Sequence, residues 1–267
     1  MRKPGYVGAI YFWILALLLY LPIVLLIIFS FNDSIHLVFP LKGFAVNSYI
    51  ALAQNNELID AVQVSILLGL GTAVVSTILG TMGAIAIVRF DFPGRNAITA
   101  LGALPLFIPY VILGVSSLIL FKEIGISLSA WAAGIAHVIV SIPYALLIVS
   151  ARLVGFPQSL EEAAMDLGTT YWGALLRVTL PISLPSIIAA FLVSFTISFD
   201  EYAISSFLVG VQTTLPVYLY SQLRFPTRLP TVVALAAILM VSSILLLLLA
   251  EWLRGSGEKT TQKGKEA

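Results

Sequence analysis

The chain has 267 residues, of which 60% are apolar and 10% charged, and a formal net charge of +1. A water-soluble domain carries roughly 25% charged residues, so composition excludes one, and with no basic cluster there is no electrostatic footprint for nucleic acid. The absence of cysteine removes disulfides, thiolate catalysis and cysteine-held metals.

The apolar residues gather in runs near the length that crosses roughly 30 Å of hydrocarbon as a helix. They predict an all-α integral membrane fold of about six transmembrane helices, one domain over residues 1–267, with spans at 7–31, 61–88, 98–121, 130–151, 184–208 and 232–253. The first apolar run, Tyr11 to Phe31, is too long for a signal-peptide core and is read as a retained span. Before span 2, Asn47 is expected to cap a short helix through Ser48–Ala53, and Asn55 or Asn56 to cap the run into the span. The stretch Asp91-Phe92-Pro93-Gly94-Arg95-Asn96 reads as a turn between spans 2 and 3. Pro22, Pro105, Pro109 and Pro143 fall inside spans, where each removes a backbone donor and tends to kink its helix. His137, near the middle of span 4, reads first as a packed side chain and second as a pathway residue.

Lys and Arg collect in cytoplasmic loops. With these spans, Arg2, Lys3, Arg89, Arg95, Arg152, Arg177, Arg254, Lys259, Lys263 and Lys265 share one side, against Lys42, Lys122, Arg224 and Arg228 on the other. Both termini are therefore expected in the cytoplasm, the second as a flexible polar tail over 254–267.

The segment 152–183, between spans 4 and 5, lies on the same side and is longer than most connections. Ser159 and Glu162 have capping-box spacing, with acids at the positive helix end. Leu160, Ala163, Ala164 and Leu167 repeat at helical spacing, and Gly168 stands where a helix C-terminus favours a left-handed residue. A second short helix is expected through Trp172–Arg177, running to Pro181.

Asp200 and Glu201 are consecutive carboxylates inside span 5. Sixteen residues past Leu184, Asp200 lies roughly 24 Å along a regular helix, in the outer part of the hydrocarbon. Acids there are expected to face protein or water. On a helical wheel Ser194, Ser198, Glu201 and Ser205 share a stripe, and Asp200 lies about 100° away. Glu201 is thus the favoured pathway residue, with Tyr110, Tyr144 and Tyr202 as aromatic faces for a cation. The competing reading makes both acids anchors of interhelical hydrogen bonds or places them in an open vestibule.

The run Glu162-Ala163-Ala164, then Gly168, then Val178-x-Leu180-Pro181 resembles the EAA motif of permease subunits of binding-protein-dependent ABC importers. Pro22 with Ser30-Phe31-Asn32, the Lys42-Gly43-Phe44 segment and Phe199-Asp200-Glu201 are similar to the spermidine/putrescine-type permeases, so the likeness covers nearly the whole chain. The resemblance implies a multi-pass protein of the bacterial inner membrane. It implies that Glu162, Ala163, Ala164, Gly168, Leu180 and Pro181 couple the chain to a cytoplasmic ATPase dimer. It further implies a second permease subunit, homologous or identical, and an extracytoplasmic solute-binding protein. No cofactor is expected on this chain; ATP and Mg belong to the ATPase. Importers for opines, iron(III) and other small solutes share much of this architecture.

Other functions find little support. Gly255-Ser256-Gly257-Glu258-Lys259-Thr260 lacks the glycine before lysine and the preceding strand of a P-loop. Gly69-Leu70-Gly71 lies in an apolar span and lacks the third glycine of a dinucleotide fingerprint. His36 and His137 are the two histidines, so no H-E-x-x-H zinc site exists, and no nucleophile–base constellation suggests a membrane enzyme. A secondary transporter would need coupling-ion sites and internal repeats, and would leave the EAA segment unexplained.

Overall fold

The computed structural model describes residues 6–34 and 38–245. His36, the end of span 6 and the tail at 254–267 lie outside the described residues. Among the described residues, five helices are long and apolar enough to cross a membrane, and a bent pair taken as one span makes a sixth.

Two compact units divide the chain: Met1–Asn56 with Leu219–Ala267, and Glu57–Tyr218. In the first, α1 (Tyr6–Ser30) carries Pro22 without interruption. After it, Asn32 pairs with Phe44 in an isolated antiparallel bridge, joining the Ser30-Phe31-Asn32 and Lys42-Gly43-Phe44 segments. Ser30 Oγ lies 2.6 Å from the Tyr49 hydroxyl. Tyr49 belongs to α2 (Asn47–Ala53), for which Asn47 is the first helical residue and not the cap. The unit ends, within the described residues, in the last apolar helix, Pro226–Leu245.

The second unit begins in α3 (Asn56–Arg89), which starts outside the expected span and forms one 34-residue helix. Span 3 is not one helix. It is α4 (Arg95–Ala103), a 3₁₀ turn at Leu104–Phe107, and α5 (Tyr110–Glu123), with a bend of 105° between the two halves. Ile108, at the break, is extended (φ −93°, ψ 126°), as a residue before proline prefers, and Pro109 caps α5. Two prolines four residues apart leave neither turn its full set of donors, whereas the single Pro143 sits inside an unbroken α6 (Ala130–Val154).

Helix α7 (Ser159–Asp166) follows. Then α8 (Tyr171–Ala174), a π-turn at Leu175–Thr179 and α9 (Leu180–Phe199) run on as one helical span from Tyr171 to Phe199. The expected separate helix ending at Pro181 is thus the beginning of span 5. In a regular helix the Pro181 ring would crowd the Arg177 carbonyl; the chain widens by a π-turn just before it instead of breaking. After Phe199 come α10 (Ser205–Leu208) and α11 (Leu215–Gln222), within which this unit ends at Tyr218.

Packing in this unit is inside-out relative to a soluble protein. The buried face of α3 includes Ser65, Thr72, Ala73, Ser76, Gly80 and Ala84, while Leu67, Leu79 and Met82 are exposed. Small residues inside let helix backbones approach where lipid supplies no hydrophobic drive. At Gly80 the approach to α6 is so close that a Cβ would stand 2.5 Å from that of Ala145. Ala84, Ala145, Val149, Leu153 and Ala190 form one core cluster of α3, α6 and α9.

Candidate functional site

Two corners of the second unit hold the residues singled out in the sequence. The first surrounds α7. Ser159 begins the helix without a capping bond, so the Ser159–Glu162 capping box is not formed. The C-terminus is as expected: Gly168 has φ +92°, and Gly168 N and Thr169 N donate to Met165 O at 2.9 Å and Ala164 O at 3.2 Å. That is a Schellman closure, for which glycine avoids the Cβ penalty. Thr170 then caps α8, its Oγ1 accepting from Gly173 N at 3.2 Å.

Glu162 and Ala163 are exposed and Ala164 is half-buried. Of the apolar residues at helical spacing, Leu160 is exposed and Leu167 is 88% exposed. Facing inward is Glu161, at 3% exposure. Its Oε1 accepts from Arg89 Nε at 3.0 Å and from Thr179 Oγ1 at 2.6 Å. The Arg89 guanidinium lies 5.5 Å from the centre of the buried Phe156 ring. Leu180 and Pro181 open α9 directly beyond Thr179. The sequence reading missed Glu161, Arg89 and Thr179 as a group; two adjacent glutamates in an amphipathic helix were the visible signal that one must turn inward.

The second corner lies where α9 stops. Asp200 is its C-cap and is exposed. Glu201 is therefore off the helix, and its place on a continuous wheel with Ser194 and Ser198 is corrected. All four members of that stripe are nonetheless buried, with Glu201 at 5% exposure. Glu201 Oε1 accepts from Ile204 N at 2.7 Å, and Oε2 from Ser205 N at 2.9 Å. The carboxylate satisfies donors that the short α10 leaves open. Oε2 also lies 3.2 Å from His137 Nε2. That imidazole, 1% exposed, reaches Ser198 Oγ with Nδ1 at 2.8 Å and Ser205 Oγ with Nε2 at 3.1 Å. Glu201 thus joins the turn after α9 to His137 of α6, and Asp200 is the carboxylate that is exposed.

Of the three tyrosines, the structure brings two together: the Tyr110 and Tyr144 hydroxyls are 3.4 Å apart, and both rings pack on the core of Phe121, Ala136, Val140 and Ile204. Tyr202 is half-buried. Tyr110 stands at the start of α5, directly past the break in span 3.

Comparison with known proteins agrees with this architecture. The chain is 37% identical over 235 residues to the spermidine/putrescine transport system permease protein PotC of Haemophilus influenzae, covering 87% of this chain and 90% of that one. It is 35% identical over 250 residues to the putrescine transport system permease protein PotI of Escherichia coli strain K12, covering 90% and 88%. Its fold is similar to a chain in the crystal structure of a bacterial ABC transporter involved in the import of the acidic polysaccharide alginate. The TM-score there is 0.73 at 17% identity, over 92% of this chain and 95% of that chain. Residues 76–256, a stretch that holds both corners, match the family described as binding-protein-dependent transport system inner membrane component. The chain belongs to that family: it is a membrane-embedded subunit of a binding-protein-dependent ABC transporter.

Proposed function

We propose that this subunit passes a polyamine, spermidine or putrescine, across the bacterial inner membrane, driven by an ATPase on separate chains. The observation that carries the coupling half is α7: a short helix whose Glu162, Ala163, Leu160 and Leu167 side chains are turned away from the chain that bears them. A surface of that kind suits a groove on a cytoplasmic partner, with Gly168 setting the exit angle and Leu180-Pro181 starting the span that receives the motion. ATP and Mg are bound and consumed on that partner dimer. Closure of the dimer draws two such helices together, this chain's and that of a second permease subunit, homologous or identical, and switches a two-state pathway. An extracytoplasmic binding protein delivers the solute. Both termini are in the cytoplasm.

The polyamine assignment rests on the names of the relatives and on the chemistry of the outer corner. Spaced ammonium groups that leave water need carboxylates and aromatic faces in exchange. Asp200, exposed at the end of α9, is the proposed contact; Tyr110, Tyr144 and Tyr202 supply rings, and Glu201 holds the turn that presents them.

Uptake by a strain lacking its own importers tests the reading, with spermidine and putrescine set against an opine and chelated iron. Asp200→Asn should lower polyamine uptake about tenfold, as loss of a charge-assisted contact does, with ATPase association intact. Uptake of an anionic or neutral solute alone would remove the polyamine and leave the permease. Topology is open to test because the chain has no cysteine: a cysteine at Gln158 should be labelled from the cytoplasm and one at Gln54 from outside, and the reverse would overturn the orientation.

A further inference from the structure

Helix α7 has eight residues, too few to hold helical form alone, and its Leu160, Met165 and Leu167 side chains are exposed. Its attachment to the rest of the chain is concentrated in one side chain. Glu161 Oε1 receives Arg89 Nε from the inner end of α3 at 3.0 Å and Thr179 Oγ1 from the π-turn at the foot of α9 at 2.6 Å. The Arg89 and Glu161 side chains are 7% and 4% exposed, and Thr179 is fully buried. Phe156, in the connection leading into α7, lies against the guanidinium. The two connections flanking α7 are Gly155-Phe156-Pro157-Gln158 and the left-handed turn at Gly168. Those connections are the places where a pull on α7 would otherwise be absorbed.

We infer that Arg89, Glu161 and Thr179 form a coupling joint that makes α3 and the foot of α9 move with α7. The inference rests on the proposed function, in which a partner ATPase moves α7. A buried ion pair suits the task because pulling it apart strands a charge away from water. The two helices therefore follow α7 instead of parting from it, and one oxygen passes the displacement to both at once. The π-turn belongs to the joint: it lies between α8 and α9 and delivers Thr179 to the same oxygen as Arg89. All three are positioning residues; Glu162 and Ala163, on the exposed face, remain free to meet the partner.

The test uses the permease purified with the subunits that accompany it. In a first arm, spin labels on cysteines replacing Asp166 on α7 and Met82 on α3 report their separation by pulsed dipolar spectroscopy. One narrow distance is expected in the parent protein, and a broad distribution in Glu161→Ala. In a second arm, proteoliposomes report radiolabelled spermidine moved per ATP hydrolysed. Glu161→Ala should lower that ratio about tenfold, an ordinary size for a coupling free energy, while the ATPase still co-purifies. Thr179→Val, which keeps the ion pair and removes one hydrogen bond, should lower it about threefold. A purely structural role would reduce the amount of complex and leave the ratio unchanged; that result, or an unchanged distance distribution, overturns the joint. Absence of any ATPase or spermidine transport in the parent protein would strike the proposed function, and the distance arm would still decide the joint.

Discussion

The two corners each bury a glutamate, yet they hold the chain together in different ways. Glu161 bonds to side chains 72 and 18 residues away in sequence, so it ties elements that would otherwise be independent. Glu201 bonds chiefly to backbone donors three and four residues on, so it first shapes its own turn, and His137 then staples that turn to α6. The surroundings differ as much as the bonds. Ile204, which donates to Glu201, is buried in a core with Val140 and Leu208; α7 has little but Glu161 turned inward. Two carboxylates buried to a similar degree therefore make different attachments: one joins a turn to a membrane-embedded core, the other holds a small element that has few inward contacts of its own.

The sharpest way to break this comparison is to remove each carboxylate and measure stability. Glu201→Ala strands the buried Ile204 and Ser205 N–H donors and removes the carboxylate beside His137, and should cost about 3 kcal/mol in unfolding of the solubilised protein. Glu161→Ala should shift the same transition far less, because α7 opens locally and caps the loss; equal shifts would mean that α7 is part of the global cooperative unit.

A smaller effect is expected at the exit from α7. Gly168→Asp places a side chain at φ +92°, which costs roughly 1–2 kcal/mol for a non-glycine residue. There is open space around the position, so the strain is confined to the backbone. Co-purification of the ATPase should fall while thermal stability of the permease stays near that of the parent. Loss of the whole protein from the membrane would show that the two corners are not separable.

The smallest effect separates two hydroxyls of the same loop. Thr170 makes a capping bond and Ser159 does not, so hydrogen exchange of the adjoining helix start should register about 1 kcal/mol for Thr170→Ala and under about 0.5 kcal/mol for Ser159→Ala. The reverse order would reinstate the capping box.

The sequence by itself determined the membrane class, about six crossings, the place of the long loop and the left-handed turn at Gly168. These are properties that add up locally: twenty apolar residues exceed the hydrocarbon thickness whatever they pack against, and glycine fits φ > 0 whatever surrounds it. The EAA spacing and the acids after Phe199 were equally legible, because both are fixed by offsets within a few residues. Which of Glu161 and Glu162 turns inward was decided only in three dimensions, since the choice depends on Arg89, 72 residues earlier. Four prolines looked alike in the sequence, and only the Pro105–Pro109 pair broke its span, while α1 and α6 absorbed theirs. Span 5 began thirteen residues sooner than its apolar run and ended at Phe199, beyond which Glu201 accepts the backbone N–H groups of Ile204 and Ser205. A wheel drawn through Glu201 assumes that the helix continues. Whether it does depends both on the local bonds that Glu201 makes to Ile204 and Ser205 and on His137, 61 residues before Ser198, which a wheel does not contain.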